Sequence, residues 1–211
     1  MNLLFLAIAP VTVVILYIYF KDKYEKEPIK IVAISFFLGA TVSIILTFTL
    51  GYIASSLVPL TDVKSISQQF IKAFFTVALV EEFSKYIIVR FYAQKNKEFN
   101  EPFDGIVYAV MVSMGFAALE NILYTFQYGF GVGFTRAFTA VPAHATFGII
   151  MGYFMGKAKF SNNRIKLNLL GLLFATLFHG SYDFFLFINF IPGIYIGAFV
   201  SLLIGIIFSK K

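Results

Sequence analysis

The sequence predicts an all-α, polytopic integral membrane bundle of about seven transmembrane helices, on three observations. Apolar residues fill 59% of the 211 positions and charged ones only 13%. With a mean hydropathy of +0.84, a soluble domain of this size could not present such a surface to water. The apolar residues fall in seven stretches, each near the ~20 residues that cross a ~30 Å hydrocarbon layer. Lysine and arginine collect in every second connection, the pattern of a threaded membrane protein. No repeat, low-complexity tract or soluble segment interrupts the chain, so residues 1–211 read as one transmembrane domain. The absence of cysteine removes disulfides, thiol nucleophiles and thiolate metal sites, and leaves carboxylate, imidazole, hydroxyl and amine chemistry. The net charge of +6 comes from short basic connections that set orientation, so no nucleic-acid partner is expected.

Residues 3 to 20 form the first span. KDKYEKEP follows it directly, without the small residues of a cleavage site, so the helix is expected to be retained. Residues 31 to 53 form the second, with a weaker apolar extension through Gly51 to Pro59 that reads as a tilted end or an interfacial turn. The third, 70 to 92, carries Glu81, Glu82 and Lys85, and the fourth, 104 to 128, carries Glu120 and Asn121. The fifth, 134 to 156, carries Pro142 and His144; the proline removes a backbone donor and favours a kink or opening, as tolerated where helices line a cavity. The sixth, 167 to 189, carries His179 and Asp183, and residues 193 to 208 form the seventh.

Thirteen basic residues lie in or beside the odd-numbered connections and the C-terminal tail, and three, Lys64, Lys72 and Arg136, beside the even-numbered ones. By the positive-inside rule the N-terminus is expected outside and the C-terminus in the cytoplasm. At ~1.5 Å per residue, this topology puts Glu81, Glu82, Glu120, His144, His179 and Asp183 roughly 9 to 18 Å below the outer surface. Four helices thus deliver polar groups to one layer.

A charge at the bilayer centre costs about 2.5–3.5 kcal/mol on insertion scales, so buried ionisable residues mark pairing, transport or chemistry. The two histidines are the only ones in the chain, and they share their depth with carboxylates. Glu81 and Glu82 stand four and three residues before Lys85, so one lysine can pair with either and keep it ionised. His179 and Asp183 are i and i+4, which lets the aspartate orient the ring. Glu120 and Asn121 sit about 100° apart on their helix and are expected to face different neighbours. The phenylalanines and the glycines at 39, 115, 148, 152 and 156 need only packing roles.

The motifs EEFSK at 81–85, FAALENILY at 116–124, FTRAFTAVPAHATFGIIMGYFMGKA at 134–158 and LFHGSYDF at 177–184 resemble the PrsW family of polytopic membrane proteases. KDKYEKEP at 21–28 and FDGIVYAVMVSMGFAALEN at 103–121 match as well, so the resemblance covers most of the chain. It implies a peptidase that makes the first, extracytoplasmic-side (site-1) cut in a single-pass anti-sigma factor. A downstream intramembrane protease then cuts the product and frees an extracytoplasmic-function sigma factor. The family is similar to the CAAX-processing and bacteriocin-immunity membrane proteases, whose paired glutamates and two histidines follow the same order. By this resemblance Glu81 and Glu82 match the essential paired glutamates and His179 the essential histidine, with His144 and Glu120 as further motif positions. Glu25, Lys26, Glu27 and Pro28 stand where an EPEP-like turn is expected, a departure in a connection away from the site.

Two mechanisms remain open at the level of sequence. In one, Glu82 or Glu81 holds a divalent metal, zinc by chemistry, together with His144 and His179, while the other glutamate serves as general base. In the other a glutamate activates water directly and a histidine stabilises the oxyanion; HExxH is absent, so the zincin pattern does not decide between them. Lys85, Asn121 and Asp183 are supporting residues in both. A proton- or ion-coupled transporter would also place Glu, His and Asp at mid-membrane, but should show repeated halves or broken helices in equivalent positions. A superfamily peptidase acting on another membrane substrate would share every feature above.

Overall fold

The computed structural model describes residues 2–22, 25–193 and 196–209. It is helical throughout, with no strand among the described residues. The helices are α1 (Leu3–Lys21), α2 (Ile29–Leu38), α3 (Ile44–Leu57), α4 (Ile66–Ile71), α5 (Leu79–Phe91), α6 (Asp104–Tyr128), α7 (Phe130–Phe138), α8 (Ala140–Lys159), α9 (Arg164–Phe187) and α10 (Ile196–Ser209). Gly39–Ser43 joins α2 to α3, and Lys72–Ala78 joins α4 to α5, each as a wider π-helical segment inside a continuous rod. Among the described residues, five helical stretches are long and apolar enough to cross a membrane: Leu3–Lys21, Ile29–Leu57, Asp104–Tyr128, Phe130–Lys159 and Arg164–Phe187. The rod from α4 to α5 carries Lys72, Glu81, Glu82, Lys85 and Arg90. The weak extension after residue 53 is helical as far as Leu57.

The expected fifth span is divided. The chain turns at Gly129, whose φ of +83° suits glycine, runs through the short α7, and breaks again at Thr139 before α8 begins at Ala140. Pro142 therefore lies in the first turn of α8, where its missing N–H costs nothing; the opening expected at the proline sits instead just before it. Phe130, Phe134 and Phe138 are exposed along one side of α7, while Thr135, Arg136 and Thr139 line a cavity on another.

α6 is the central helix, packed against α1, α2, α5 and α8, and small residues let the backbones touch. A Cβ built on Gly39 would lie 2.1 Å from the Val112 carbonyl oxygen, and one on Gly115 would lie 1.9 Å from that of Phe36. Such close approach replaces hydrophobic drive, which is weak between helices already in lipid. Gly115→Ala therefore forces α2 and α6 apart and should destabilise the fold by about 1–3 kcal/mol, the range for overpacking. A clear fall in the melting temperature of the detergent-solubilised protein is the expected result. An unchanged melting temperature would mean that the two backbones are not in contact.

At the Lys21 end of α1, Glu27 is buried and accepts the Tyr108 hydroxyl. Asp104 accepts the backbone N–H groups of Asn100 at 2.7 Å and Glu101 at 2.8 Å. Burial, then the hydrogen bond and charge of Asp104, and then Asp22 and Glu101, push the Glu27 carboxyl up to about 9. The folded chain thus keeps a proton that the unfolded chain loses near the ordinary value of 4.5. Stability from this group is complete below that ordinary value, declines as pH rises, and is gone above the folded value. Glu27→Gln should flatten the fall in melting temperature between pH 6 and 9, as thermal scans across that range would show; an equally steep fall in the variant would contradict the assignment.

Candidate active site

The register set by the π-helical segment puts Glu81, Glu82 and Lys85 in the first two turns of α5, all buried. Lys85 Nζ donates to Glu82 Oε1 at 2.7 Å and to Glu81 Oε2 at 3.4 Å, as the i,i+3 and i,i+4 spacing requires. Its ammonium also lies 4.1 Å from the centre of the Phe116 ring, a cation–π contact, and 3.2 Å from His144 Nδ1. A lysine ammonium only donates, so Nδ1 of His144 accepts and the ring proton falls on Nε2. Nε2 faces Glu120 Oε2 at 2.9 Å, which completes the hydrogen bond.

His179 reaches the same carboxylates from α9. Its Nδ1 lies 2.9 Å from Glu82 Oε1, and its Nε2 lies 3.4 Å from Asp183 Oδ2 and 3.9 Å from Glu81 Oε2. The Phe147 ring stacks on it at 4.8 Å and the His144 ring meets it edge-on at 5.4 Å. Phe116 and Phe147 thus contact the polar cluster directly, beyond the packing role expected of phenylalanines. Because α8 begins at Ala140, His144 sits in the second turn of its helix rather than ten residues along it.

Arg136 was not among the candidate residues read from sequence. From α7 its guanidinium donates to Glu120 Oε2 at 2.5 Å and to Asn121 Oδ1 at 2.9 Å, and it lies 4.2 Å from the Tyr124 ring centre. Asn121 in turn donates to the Ala7 carbonyl of α1 at 2.9 Å. Glu120 and Asn121 do face different helices, yet one arginine joins them. Its signal in the sequence was a lone positive charge in the apolar FTRAF run of a connection otherwise free of charge.

A cavity of about 550 Å³ opens beside this cluster, lined by Glu81, Glu120, Arg136, His144, His179 and Asp183. Glu82 does not line it and is fully buried. The structure therefore brings together Glu81, Glu82, Lys85, Glu120, His144, His179 and Asp183, and leaves Asn121 at the edge, holding α1. One donor atom from each of Glu81, Glu82, His144 and His179 lies within 4.8 Å of all the others. This set fits a divalent metal on three counts. The Lys85 ammonium already sits among three of the four groups, so the place attracts a cation. Glu82 Oε2 is buried without a partner. Around them, four carboxylates (Glu81, Glu82, Glu120, Asp183) face two permanent cations (Lys85, Arg136), an excess of negative charge suited to a divalent ion.

The family described as PrsW family intramembrane metalloprotease matches residues 27–208. The chain belongs to this family. Protease PrsW of Oceanobacillus iheyensis is 42% identical to it over 187 residues, which covers 88% of this chain and 83% of that one. Protease PrsW of Bacillus subtilis is 40% identical over 182 residues, covering 85% and 80%, and that of Clostridioides difficile 34% over 197 residues, covering 90% and 81%. No solved structure matches. As a member of the PrsW protease family, this chain is a multi-pass membrane peptidase with a buried glutamate and histidine group able to bind a metal.

Proposed function

We propose that this protease makes the first cut in a single-pass anti-sigma factor on the extracytoplasmic side of the bacterial cell membrane. A second intramembrane protease then acts on the product, releasing an extracytoplasmic-function sigma factor. The observation that carries this reading is where the cavity lies. Its lining includes Lys72, Thr135, Arg136, Thr139 and Phe187, from helices next to the three even-numbered connections, which are poor in basic residues. With the N-terminus outside and the C-terminus cytoplasmic, that side faces outward. Arg136, one of the three basic residues on that side, is held by Glu120 and so does not weaken the charge asymmetry.

In this reading Glu82, His144 and His179 hold the metal, zinc by donor chemistry, and Glu81 is the general base. A bound zinc would lower the pKa of a water molecule and polarise the scissile carbonyl. Glu81 borders the cavity, so its carboxylate can take a proton from the attacking water as oxygen adds to the carbonyl carbon. The same proton can pass to the amine nitrogen as the C–N bond breaks. Glu120 fixes the His144 ring, with Arg136 fixing Glu120, and Asp183 holds His179 from its other nitrogen. Lys85 balances the paired glutamates.

The test uses cells of the source bacterium in which each single-pass anti-sigma factor carries a tag at both ends. At least one should be cut outside its membrane segment by the wild-type protein and stay whole with His179→Ala. If all are processed equally with the variant, the substrate assignment fails.

A further inference from the structure

One cation on the outward side of the cavity has no counter-charge. Of the three basic residues on that side, Lys64 is exposed in a connection that also carries Asp62, and Arg136 is held by Glu120. The third, Lys72, is half-buried in the cavity wall, and no ion pair among the described residues includes it. Its ammonium lies 4.5 Å from the centre of the Phe187 ring, a cation–π contact that fixes where the charge sits.

Two helices measure the same distance from this charge to the paired glutamates. α9 carries His179, Asp183 and Phe187 at i, i+4 and i+8, along one face. The rod of α4 and α5 passes it in the opposite direction, with Lys72 against Phe187 and Glu82 against His179. At ~1.5 Å per residue, His179 to Phe187 spans about 12 Å and Lys72 to Glu81 about 13 Å. An extended peptide rises ~3.3 Å per residue, so about four of its residues bridge the two points. Deeper than Lys72 the cavity is acidic: Glu81, Glu120 and Asp183 border it, and Arg136 is already engaged with Glu120. A substrate carboxylate is repelled there and attracted at Lys72.

From this arrangement we infer that Lys72 is a specificity-determining residue, which binds an aspartate or glutamate of the substrate's juxtamembrane segment about four residues outward of the bond that is cut. The inference rests on the peptidase reading above and adds a sequence preference to it. The segment concerned lies outside the substrate's membrane helix and enters the cavity from the outer surface. Selection by charge then works in two ways. An acidic residue in register with Lys72 gains a charge-assisted hydrogen bond, and the same residue beside the cut bond meets the acidic wall.

The test uses full-length protein in phosphatidylcholine vesicles with synthetic single-pass peptides. Their outer juxtamembrane segment is built from alanine, serine and glycine, with one Asp, Asn or Lys moved through successive positions. Binding is read by energy transfer in the Glu82→Gln background, and cutting with the active protein. At its best position the Asp peptide should bind at least fivefold more tightly than its Asn counterpart, and mass spectrometry should place any cut about four residues inward of the aspartate. Adding Lys72→Gln should bring the Asp-to-Asn ratio below twofold, and Lys72→Glu should reverse the preference in favour of the Lys peptide. A structural role for Lys72, or a contact with a lipid phosphate, would weaken all three peptides alike and produce no reversal. Equal binding of the Asp and Asn peptides, or a ratio unchanged by Lys72→Gln, overturns the inference. Cutting of the peptides without charge preference overturns it too and leaves the peptidase reading intact. Charge-selective binding with no cutting of any peptide has the reverse meaning.

Discussion

Glu82→Gln is expected to lower hydrolysis of a membrane substrate by about 10³-fold or more, within the range for loss of an essential acid–base or electrostatic group, while the protein still accumulates in the membrane. The amide keeps the volume and an oxygen for Lys85, and Glu81 at 3.4 Å still neutralises that ammonium. The lost charge is the one on which Lys85 and His179 converge, at 2.7 and 2.9 Å. Glu81→Gln should be as inactive, yet the two variants should differ in metal content. Glu82 is read as a ligand and Glu81 as the base, so elemental analysis of purified protein should find zinc depleted in the first and retained in the second. Near-normal proteolysis by both would return the pair to a structural role.

Lys85→Met should have the largest effect on stability. Removing one partner of a buried ion pair costs about 3–5 kcal/mol because the remaining charge is stranded, and here Lys85 serves two carboxylates, both buried. The variant should accumulate poorly and melt well below the wild type. Adding Glu82→Gln to Lys85→Met removes one stranded charge and should recover much of the lost yield, because the two residues are directly coupled. No recovery in membrane yield would mean that Lys85 acts through packing under Phe116 rather than through charge.

The helical membrane architecture was legible because crossing a bilayer demands long apolar segments, and Leu3–Lys21 and Asp104–Tyr128 follow that demand closely. The polar residues of the cluster stood out because ionisable side chains are costly there: Glu81, Glu82, His144 and His179 come together from three helices. The division of the fifth span escaped, since 130–138 is apolar enough to extend a helix by hydropathy, and only Gly129 and the conformation at Thr139 break it. That same break brings Arg136 onto Glu120.

The central claim, that the buried glutamates and histidines form a metal-dependent peptidase, is tested most directly with purified protein in vesicles and a single-pass membrane protein as substrate. Cutting should stop after treatment with a strong chelator and return when zinc is restored, and Glu82→Gln should stay inactive with zinc present. Full-rate cutting by the chelated, metal-free protein would contradict the account.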